Sequence, residues 1–258
     1  MLRFAIISKD NTKSIKLKDK ICQILTQQGA IEDPSNPSIV ITVGGDGTML
    51  RAIHEYMDHL DTISFIGIHS GTLGFFTNYT ADQVEELCED ILHVEPSIHE
   101  YNLLKIDLED EVYYAVNELR IENVYHTQSI DMYINDEFLQ SFRGNGVCLS
   151  TSAGSTGYNR SLNGPIIESS LNLMVMTEIA GIHHRKYKSL QSPLVMGGDT
   201  VFKMVLTKSD KAVLGIDHFT ITPRSNAEIS CCLSHKTVKM AFFKPFPYTK
   251  RLHQAFIK

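Results

Sequence analysis

Hydrophobic residues in the first hundred positions alternate between short continuous runs and runs with helical spacing. The continuous runs, residues 4–7, 39–43 and 63–68, are typical of buried strands. Other apolar residues recur every three or four positions and predict three helices: Leu17, Ile21, Ile24 and Leu25; Leu50, Ile53, Met57 and Leu60; and Val84, Leu87, Cys88, Ile91 and Leu92. Gly29 would end the first helix, and a capping box formed by Thr80 and Gln83 would precede the third. This alternation predicts a parallel sheet with helices on its faces.

After Pro96 the pattern changes to short stretches in which apolar and polar residues alternate. Such stretches occur at residues 112–116, 130–134, 202–206 and 229–233 and predict strands, with one long helix expected at about residues 169–181. Residues 237–243 predict another strand, and the aromatic, basic tail that follows is interpreted as a solvated face. We therefore expect an α/β N-terminal domain with a parallel sheet, residues 1–98, and a β-rich, sandwich-like C-terminal domain, residues 99–239.

Composition and charge narrow the classes of function. The chain has 258 residues and a formal net charge of -6, whereas proteins that bind nucleic acid usually carry a basic surplus. Its longest apolar runs fall far short of the roughly 20 residues that cross a bilayer, and the N-terminus reaches charged residues too early for a signal peptide. Five cysteines without metal-site spacing favour free thiols in a reducing cytosol. We expect a cytoplasmic protein that binds neither nucleic acid nor a membrane.

A glycine-rich turn is predicted where the second strand ends and the second helix begins. It reads Gly44-Gly45-Asp46-Gly47. Glycines allow the backbone to approach a ligand, and a helix start offers N–H groups to phosphate. Asp46 would repel phosphate, so another feature of the site must make this acid useful. A simple turn with Asp46 as a helix cap is the alternative, but three glycines exceed what a turn requires. The P-loop and G-x-G-x-x-G motifs are both absent from the sequence.

Two further segments have the composition of a nucleotide site. A second glycine-rich turn, residues 67–76, follows the next strand, so the two turns should form adjacent walls at the carboxyl ends of the strands. His69 within it is interpreted as a buried, hydrogen-bonded histidine. At Asn117 and Glu118 the alternation of apolar residues changes phase, which predicts a β-bulge. Their amide and carboxylate suit ribose hydroxyls, although a solvated strand end fits the pattern equally well.

The segment of residues 142–161 is rich in glycine, serine and threonine and contains Tyr158 near its end. Small hydroxyl residues leave backbone and O–H groups free to hydrogen-bond, and the Tyr158 ring could pack against adenine. A flexible loop is the alternative. We favour a binding site because a predicted strand leads into the segment and a helical stretch follows it.

These motifs resemble those of the NAD kinases, in particular the short form of Gram-positive bacteria. The resemblance rests on GGDGTML (44–50), GIHSGTLGF (67–75), NE (117–118), FRGNGVCLSTSAGSTGYNRSL (142–162), SPLV (192–195), IDH (216–218) and FKPFPYTKRLH (243–253). It implies that residues 240–258 complete the N-terminal domain, and that the protein is a homotetramer with active sites shared between subunits. It also implies transfer of the γ-phosphate of ATP to the 2′-hydroxyl of the adenosine ribose of NAD, with Mg²⁺ or another divalent cation.

The resemblance also assigns roles to individual residues. It makes Asp46 the catalytic acid. The implied substrate-binding residues are Gly45, Gly47, Leu50, Phe75, Asn117, Glu118, Arg143, Asn145, Ser155, Thr156, Gly157, Tyr158, Ser161 and His218. Four positions depart from the pattern: Asn145 replaces an aspartate that reaches the NAD adenine of a neighbouring subunit, Gly157 an alanine, Thr72 a histidine and Phe76 a tyrosine. Asn145 keeps a carbonyl acceptor but loses the charge.

The role of Asp46 follows from the chemistry that the resemblance implies. Asp46 would accept a hydrogen bond from the ribose 2′-hydroxyl, align it on the γ-phosphorus and take its proton; ligation of the metal is the alternative. Two other functions remain open at this point. One is a GGDG-type kinase that acts on a lipid or a sugar, and the other is a non-catalytic sensor of NAD(H) or NADP(H).

Overall fold

The computed structural model of the chain describes residues 1–69, 71, 74–208, 211–245 and 247–257. The chain forms two compact units. The first consists of Met1–Glu100 together with Thr237–Lys258, and the second of Tyr101–Lys236. The sequence expectation for Thr72 lies outside the described residues. In the described part of the chain, none of the helices combines the length and the hydropathy needed to cross a membrane.

The first unit contains a parallel sheet with helices on its faces, as predicted. Its elements in chain order are β1 (Arg3–Ser8), α1 (Thr12–Gln27), β2 (Ile31–Glu32), β3 (Ile39–Val43), α2 (Asp46–Glu55), β4 (Ser64–His69), β5 (Tyr79–Thr80) and α3 (Val84–His93). The strand order is β2-β1-β3-β4, and β5 pairs with β4, all in parallel. Strand β3 is buried along its whole length, which explains its continuous apolar run.

The ends of these helices follow the local sequence. Asn11 caps α1 by accepting a hydrogen bond from the Ser14 N–H at 2.9 Å, and Gly29 behind the helix has a φ of +89°, which only glycine adopts easily. Before α3, Thr80 and Gln83 form the predicted capping box. Side chains of α1 and α3, such as Ile21 and Leu87, pack with the sheet in one hydrophobic core.

The second unit is β-rich, as predicted, and the strand pairs whose register is described in it are antiparallel. Its elements are β6 (Ser97–Leu108), β7 (Glu111–Ala115), β8 (Glu118–Glu122), β9 (Gln128–Ile134), β10 (Glu137–Gly144), β11 (Gly146–Thr151), α4 (Tyr158–Ser161), β12 (Leu173–Ile179), β13 (Leu194–Gly197), β14 (Phe202–Lys208), β15 (Val213–Ile216) and β16 (Phe219–Ile221). Two elements end the chain: β17 (Glu228–Phe242), whose residues from Thr237 onward belong to the first unit, and α5 (Tyr248–Phe256).

Two layers of strands enclose the core of the second unit. One sheet has the order β13-β12-β11-β8-β15-β16, and the other layer contains β10-β9-β14-β17 and the pair β6–β7. Side chains from both layers, among them Leu149 of β11 and Met204 of β14, belong to the same buried cluster. Inward residues alternate with outward ones along strands such as β9 and β14, which is why the period-two pattern predicted strands here.

The predicted helix at residues 169–181 is wrong, because this segment contains strand β12. The strand lies between β11 and β13 and is buried on both faces from Met174 to Thr177. Such a strand shows a continuous apolar run, and periodicity alone cannot distinguish that run from a buried helix. The strand pairing of the folded chain decides the outcome.

The predicted bulge at Asn117 and Glu118 is also wrong. Strand β7 ends at Ala115 and β8 begins at Glu118, and the two strands pair with different neighbours: β7 with β6, and β8 with β11 and β15. The chain therefore passes from one layer to the other at Val116 and Asn117. The change of layer reverses which residues face the core and produces the same change of phase as a bulge.

The C-terminal region differs from the prediction in two ways. Residues 229–233 and 237–243 do not form two strands, because the single 15-residue strand β17 covers nearly all of both segments. The tail behind it folds into helix α5, and Arg251 in that helix is only 4% exposed, so the interpretation of its basic residues as a solvated face is wrong for Arg251.

Candidate active site

Asp46 is the first residue of α2 and follows the last residue of β3, Val43, by three positions. Its carboxylate accepts hydrogen bonds from the backbone N–H groups of Phe75 (Oδ2, 2.8 Å) and Phe76 (Oδ1, 3.0 Å). Both donors belong to the turn that follows β4, the parallel neighbour of β3. The two glycine-rich turns are therefore in contact, as the strand order predicts. The Asp46 side chain joins these turns, so the description of it as only a helix cap is wrong.

The glycines around Asp46 differ in what surrounds them. A Cβ atom on Gly74 would clash with the Asp46 carboxylate, and a Cβ on Gly44 would clash with the side chain of Thr48. Gly45 and Gly47, in contrast, have open space on the side where a Cβ would stand, with no described atom within 4 Å. Close packing thus holds Asp46 from one side and leaves the backbone beside it accessible to a ligand.

Arg251 supports the second turn from helix α5. Its guanidinium donates hydrogen bonds to the carbonyl oxygen of Phe75, to the Asn78 Oδ1 at 2.7 Å and to the Thr77 carbonyl at 3.5 Å. The Phe75 ring also packs against Phe256 of the same helix, with ring centroids 5.3 Å apart. Sequence reasoning missed Arg251, since nothing in the local sequence distinguishes it from its exposed neighbour Lys250.

The surroundings of Asp46 act on its acidity in opposite directions. Burial raises the pKa of Asp46 above its usual range because it disfavours the charged form. The two N–H donors of Phe75 and Phe76 lower it, and so do the charges of Arg251 and His69. His69 is partly rather than fully buried and has its Nδ1 2.8 Å from the Gly71 carbonyl oxygen. Leu50, another of the residues predicted to bind substrate, is buried in helix α2.

Asn117 and Glu118 lie in the second unit, where Asp217 holds their backbone. The Asp217 carboxylate accepts hydrogen bonds from the N–H groups of Val116 (2.7 Å), Asn117 (2.8 Å) and Glu118 (3.2 Å). Asp217 is buried and has a left-handed φ of +47° in the turn between β15 and β16. Sequence reasoning missed Asp217, although it lies in the IDH motif (216–218). Only His218 of that motif was predicted to bind substrate.

Two polar side-chain atoms of this segment are buried without a hydrogen-bond partner among the described residues. They are Oδ1 of Asn117 and Oε2 of Glu118. Buried polar atoms are nearly always paired in folded proteins, so these two acceptors suit donors that a ligand would bring. Burial, followed by the charge of Asp217, raises the pKa of Glu118 to about 7, whereas the charge of Arg120 lowers it.

The glycine-rich segment 152–161 lies against this pair. A Cβ on Gly154 would clash with the Asn117 backbone, and a Cβ on Gly157 would lie 3.3 Å from Oε2 of Glu118. The Ser155 hydroxyl is buried and donates to the Ser152 carbonyl at 2.7 Å, so it stabilises the turn itself. The Thr156 hydroxyl donates to the Ala153 carbonyl at 3.2 Å. Tyr158 is partly buried and Ser161 exposed.

The remaining predicted residues have other surroundings. The Arg143 guanidinium donates to the Tyr187 hydroxyl at 2.6 Å and lies over the Tyr187 ring. The Asn145 amide donates to the Asn123 carbonyl at 2.9 Å. His218 is exposed beside Phe219. The structure thus brings Asp46 and Phe75 together in the first unit and Asn117, Glu118 and Gly157 together in the second, whereas Arg143, Asn145 and His218 contact other residues.

Two solved structures have the same fold as this chain. The crystal structure of yeast NADH kinase complexed with NADH superposes with a TM-score of 0.82 at 19% identity, over 98% of this chain and 87% of the yeast chain. An NAD kinase from Archaeoglobus fulgidus in complex with ATP superposes with a TM-score of 0.77 at 22% identity, over 99% and 97% of the two chains. This chain therefore has the fold of these two proteins.

Sequence comparison identifies the family. Residues 6–96 match the family model of the ATP-NAD kinase N-terminal domain, and residues 109–240 match that of the ATP-NAD kinase C-terminal domain. The NAD kinases of Staphylococcus aureus strains JH9 and Newman are 37% identical to this chain over 264 aligned residues, which cover 99% of it and 98% of theirs. The chain belongs to the NAD kinase family.

Proposed function

We propose that this protein transfers the γ-phosphoryl group of ATP to the 2′-hydroxyl of the adenosine ribose of NAD, giving NADP and ADP. Membership of the NAD kinase family and the relatives of the same name in Staphylococcus aureus support this activity. The structural observation that carries it is the position of Asp46, a carboxylate partly withdrawn from water beside the open backbone of Gly45 and Gly47.

In the proposed mechanism Asp46 acts on the attacking hydroxyl. One carboxylate oxygen accepts the hydrogen bond of the 2′-hydroxyl and receives its proton as the new oxygen–phosphorus bond forms and the bond to the β-phosphate oxygen breaks. ADP leaves with the electron pair of that bond. The raised pKa of Asp46 makes it a better base than an exposed aspartate. Phosphoryl transfer depends mainly on alignment. The N–H donors of Phe75 and Phe76 provide it by holding the Asp46 carboxylate in place.

The donor side of the reaction requires a divalent cation, Mg²⁺ in our proposal. Such an ion would supply positive charge to offset that of the transferred phosphoryl group. Across the described residues no three His, Cys, Asp or Glu side chains group together as a cation site. Proteins commonly bind Mg²⁺ through one or two carboxylates while substrate phosphates and water complete its shell. Asp46, between Gly45 and Gly47 in the sequence, is the carboxylate that would hold such an ion.

NAD binding is assigned to the residues around Glu118 in the second unit. The free acceptors Oδ1 of Asn117 and Oε2 of Glu118 suit ribose hydroxyls, and the Tyr158 ring offers an apolar face. Further contacts are proposed for Gly45, Gly47, Leu50, Phe75, Arg143, Asn145, Ser155, Thr156, Gly157, Ser161 and His218. Because Asn145 donates its amide to Asn123, its carbonyl oxygen remains the acceptor for an adenine amine.

Assembly and location complete the proposal. We propose a homotetramer in which active sites are shared between subunits, with Asn145 reaching the adenine in a neighbouring subunit's site. The domains of the proposal are residues 1–98 with 240–258, which carry the catalytic turn, and residues 99–239, which bind NAD. Five cysteines without a disulfide among them support a reducing compartment, the cytoplasm.

A coupled assay tests the activity. Purified protein is incubated with NAD, ATP and Mg²⁺, and NADP is measured with an NADP-specific dehydrogenase. We expect NADP formation that depends on all three components. Binding of NAD without NADP formation, with several metals and phosphate donors, would contradict a kinase and support a dinucleotide sensor. Phosphorylation of a lipid or sugar but not of NAD would assign the protein to another type of kinase.

A further inference from the structure

Three charged side chains form a row on the outer face of strand β8. Glu118, Arg120 and Glu122 alternate with Leu119 and Ile121, which belong to the buried core of the second unit. Because side chains of a strand point alternately to its two faces, the three charged residues lie on the face opposite the core. Arg120 is the cation between two carboxylates.

The guanidinium of Arg120 is confined by the groups around it. Its Cζ lies 4.5 Å from the centroid of the Tyr158 ring, and Nη1 lies 3.2 Å from Oε2 of Glu122. Gly215 is its partner on β15, and a Cβ on this glycine would lie 2.8 Å from Nη2. Glycine at position 215 therefore leaves the space that the guanidinium needs. An arginine that lies against an aromatic ring is attracted to the electrons of the ring face.

Tyr158 is held at a second point by the same group of residues. Its hydroxyl donates a hydrogen bond to Oε1 of Glu122 at 2.6 Å, while the other oxygen of Glu122 pairs with Arg120. Arg120, Glu122 and Tyr158 thus form a closed set of three contacts. The contact with Arg120 fixes the tilt of the Tyr158 ring, and the hydrogen bond to Glu122 fixes the position of its hydroxyl. A side chain held in this way loses little further freedom when a ligand packs against it.

We propose that Arg120 is a positioning residue that holds the Tyr158 ring ready to receive the NAD substrate. This inference rests on the proposed function, since it concerns the contact of Tyr158 with NAD. Arg120 acts through Tyr158 and does not take part in phosphoryl transfer. Its loss therefore weakens the binding of NAD and leaves the chemical step at Asp46 unchanged.

A double-mutant cycle tests this role in the full-length protein. The variants are Arg120→Met, Tyr158→Leu and the combination of both, and the measurements are kcat, the KM for NAD and the melting temperature. We expect Arg120→Met to raise the KM for NAD by about tenfold with kcat within twofold, the pattern of lost substrate binding. In the Tyr158→Leu background the same substitution should change KM by less than twofold, because residues that act through one contact are not additive.

Two further variants make the test specific. Arg120→Lys keeps the positive charge between Glu118 and Glu122 but lacks the planar group that lies on the ring, so it should raise the KM for NAD by about fivefold. It also replaces Arg120→Met in the cycle if that variant does not fold. Arg224→Met is the matched control, because it removes an exposed arginine that pairs with Glu109 in the same unit. Its kinetic constants should equal those of the unsubstituted protein.

The outcomes separate this inference from the proposed function. Equal changes of KM in both backgrounds, or a fall in kcat at unchanged KM, would overturn the positioning role. A KM for NAD in Arg120→Lys equal to that of the unsubstituted protein would overturn it as well. If the unsubstituted protein forms no NADP and calorimetry detects no binding of NAD, the proposed function itself fails, and the role of Arg120 fails with it.

Discussion

Arg251 and Phe75 are 176 residues apart in the chain, and the guanidinium of Arg251 donates a hydrogen bond to the carbonyl oxygen of Phe75. The N–H of Phe75 in turn donates to Asp46 at 2.8 Å. The backbone of one residue thus connects a buried arginine of the last helix to the carboxylate of the first glycine-rich turn. We therefore expect the position of Asp46 to depend on Arg251.

Replacing Arg251 by Met should destabilise the protein and slow catalysis. The variant loses hydrogen bonds from a charged donor to the Phe75 turn, each worth about 1.5–3 kcal/mol, so we expect a loss of about 2 kcal/mol or more in the free energy of unfolding. As the turn loosens, kcat should fall by about tenfold. Urea unfolding and the coupled assay measure the two effects. The exposed neighbour Lys250 supplies the control, Lys250→Met; equal effects of both substitutions would refute a specific role of Arg251.

Replacing Asp46 by Asn should remove the base. We expect kcat to fall by at least about a hundredfold, the size of general-base losses, while the affinity for NAD stays within a few-fold. Steady-state kinetics give kcat, and calorimetry with NAD alone gives the affinity. A variant with near-normal turnover would exclude Asp46 from the chemical step.

Replacing Gly74 by Ala should displace the Asp46 carboxylate, because the added methyl group would occupy the same space. We expect kcat to fall by about tenfold or more, since small displacements of a catalytic group are costly. Gly197→Ala is a suitable control, since a Cβ at that position meets no described atom within 4 Å. The packing argument would be wrong if the two alanine variants had the same kcat.

Glu118 should make stability depend on pH in a defined range. Its pKa is raised from 4.5 to about 7 in the folded protein, so folding disfavours the charged carboxylate. The resulting destabilisation is absent below pH 4.5, grows as the pH rises towards 7 and is complete above 7. Glu118→Gln should therefore be more stable than the unsubstituted protein at pH 8, by up to about 3 kcal/mol, with little difference at pH 4.5.

Urea unfolding of both proteins at pH 4.5, 6 and 8 measures this effect. Taking the difference between the two proteins at each pH cancels most contributions of other titrating groups. A difference in the free energy of unfolding that stays constant from pH 4.5 to pH 8 would show that Glu118 titrates normally.

Several parts of the fold were predictable because their cause is local. The strand at Ile39–Val43 was predicted with its observed bounds, and the capping box of Thr80 and Gln83 with its two residues. The contact between the two glycine-rich turns followed from strand order, since the carboxyl ends of neighbouring parallel strands meet at one edge. Local patterns failed where the number of buried faces decided the structure. Strand β12 was mistaken for a helix because both of its faces are covered.

The sequence by itself determined the alternation of strands and helices in the first unit, the period-two strands of the second, and the motifs that identify the family. These depend on residues close together in the chain. Only the tertiary structure decided that Asp46 bonds to Phe75 and Phe76, that Asp217 holds the backbone of Asn117 and Glu118, and that Arg251 is buried. The physical reason is that these hydrogen bonds join groups 29 to 176 residues apart, and folding alone brings such groups within reach.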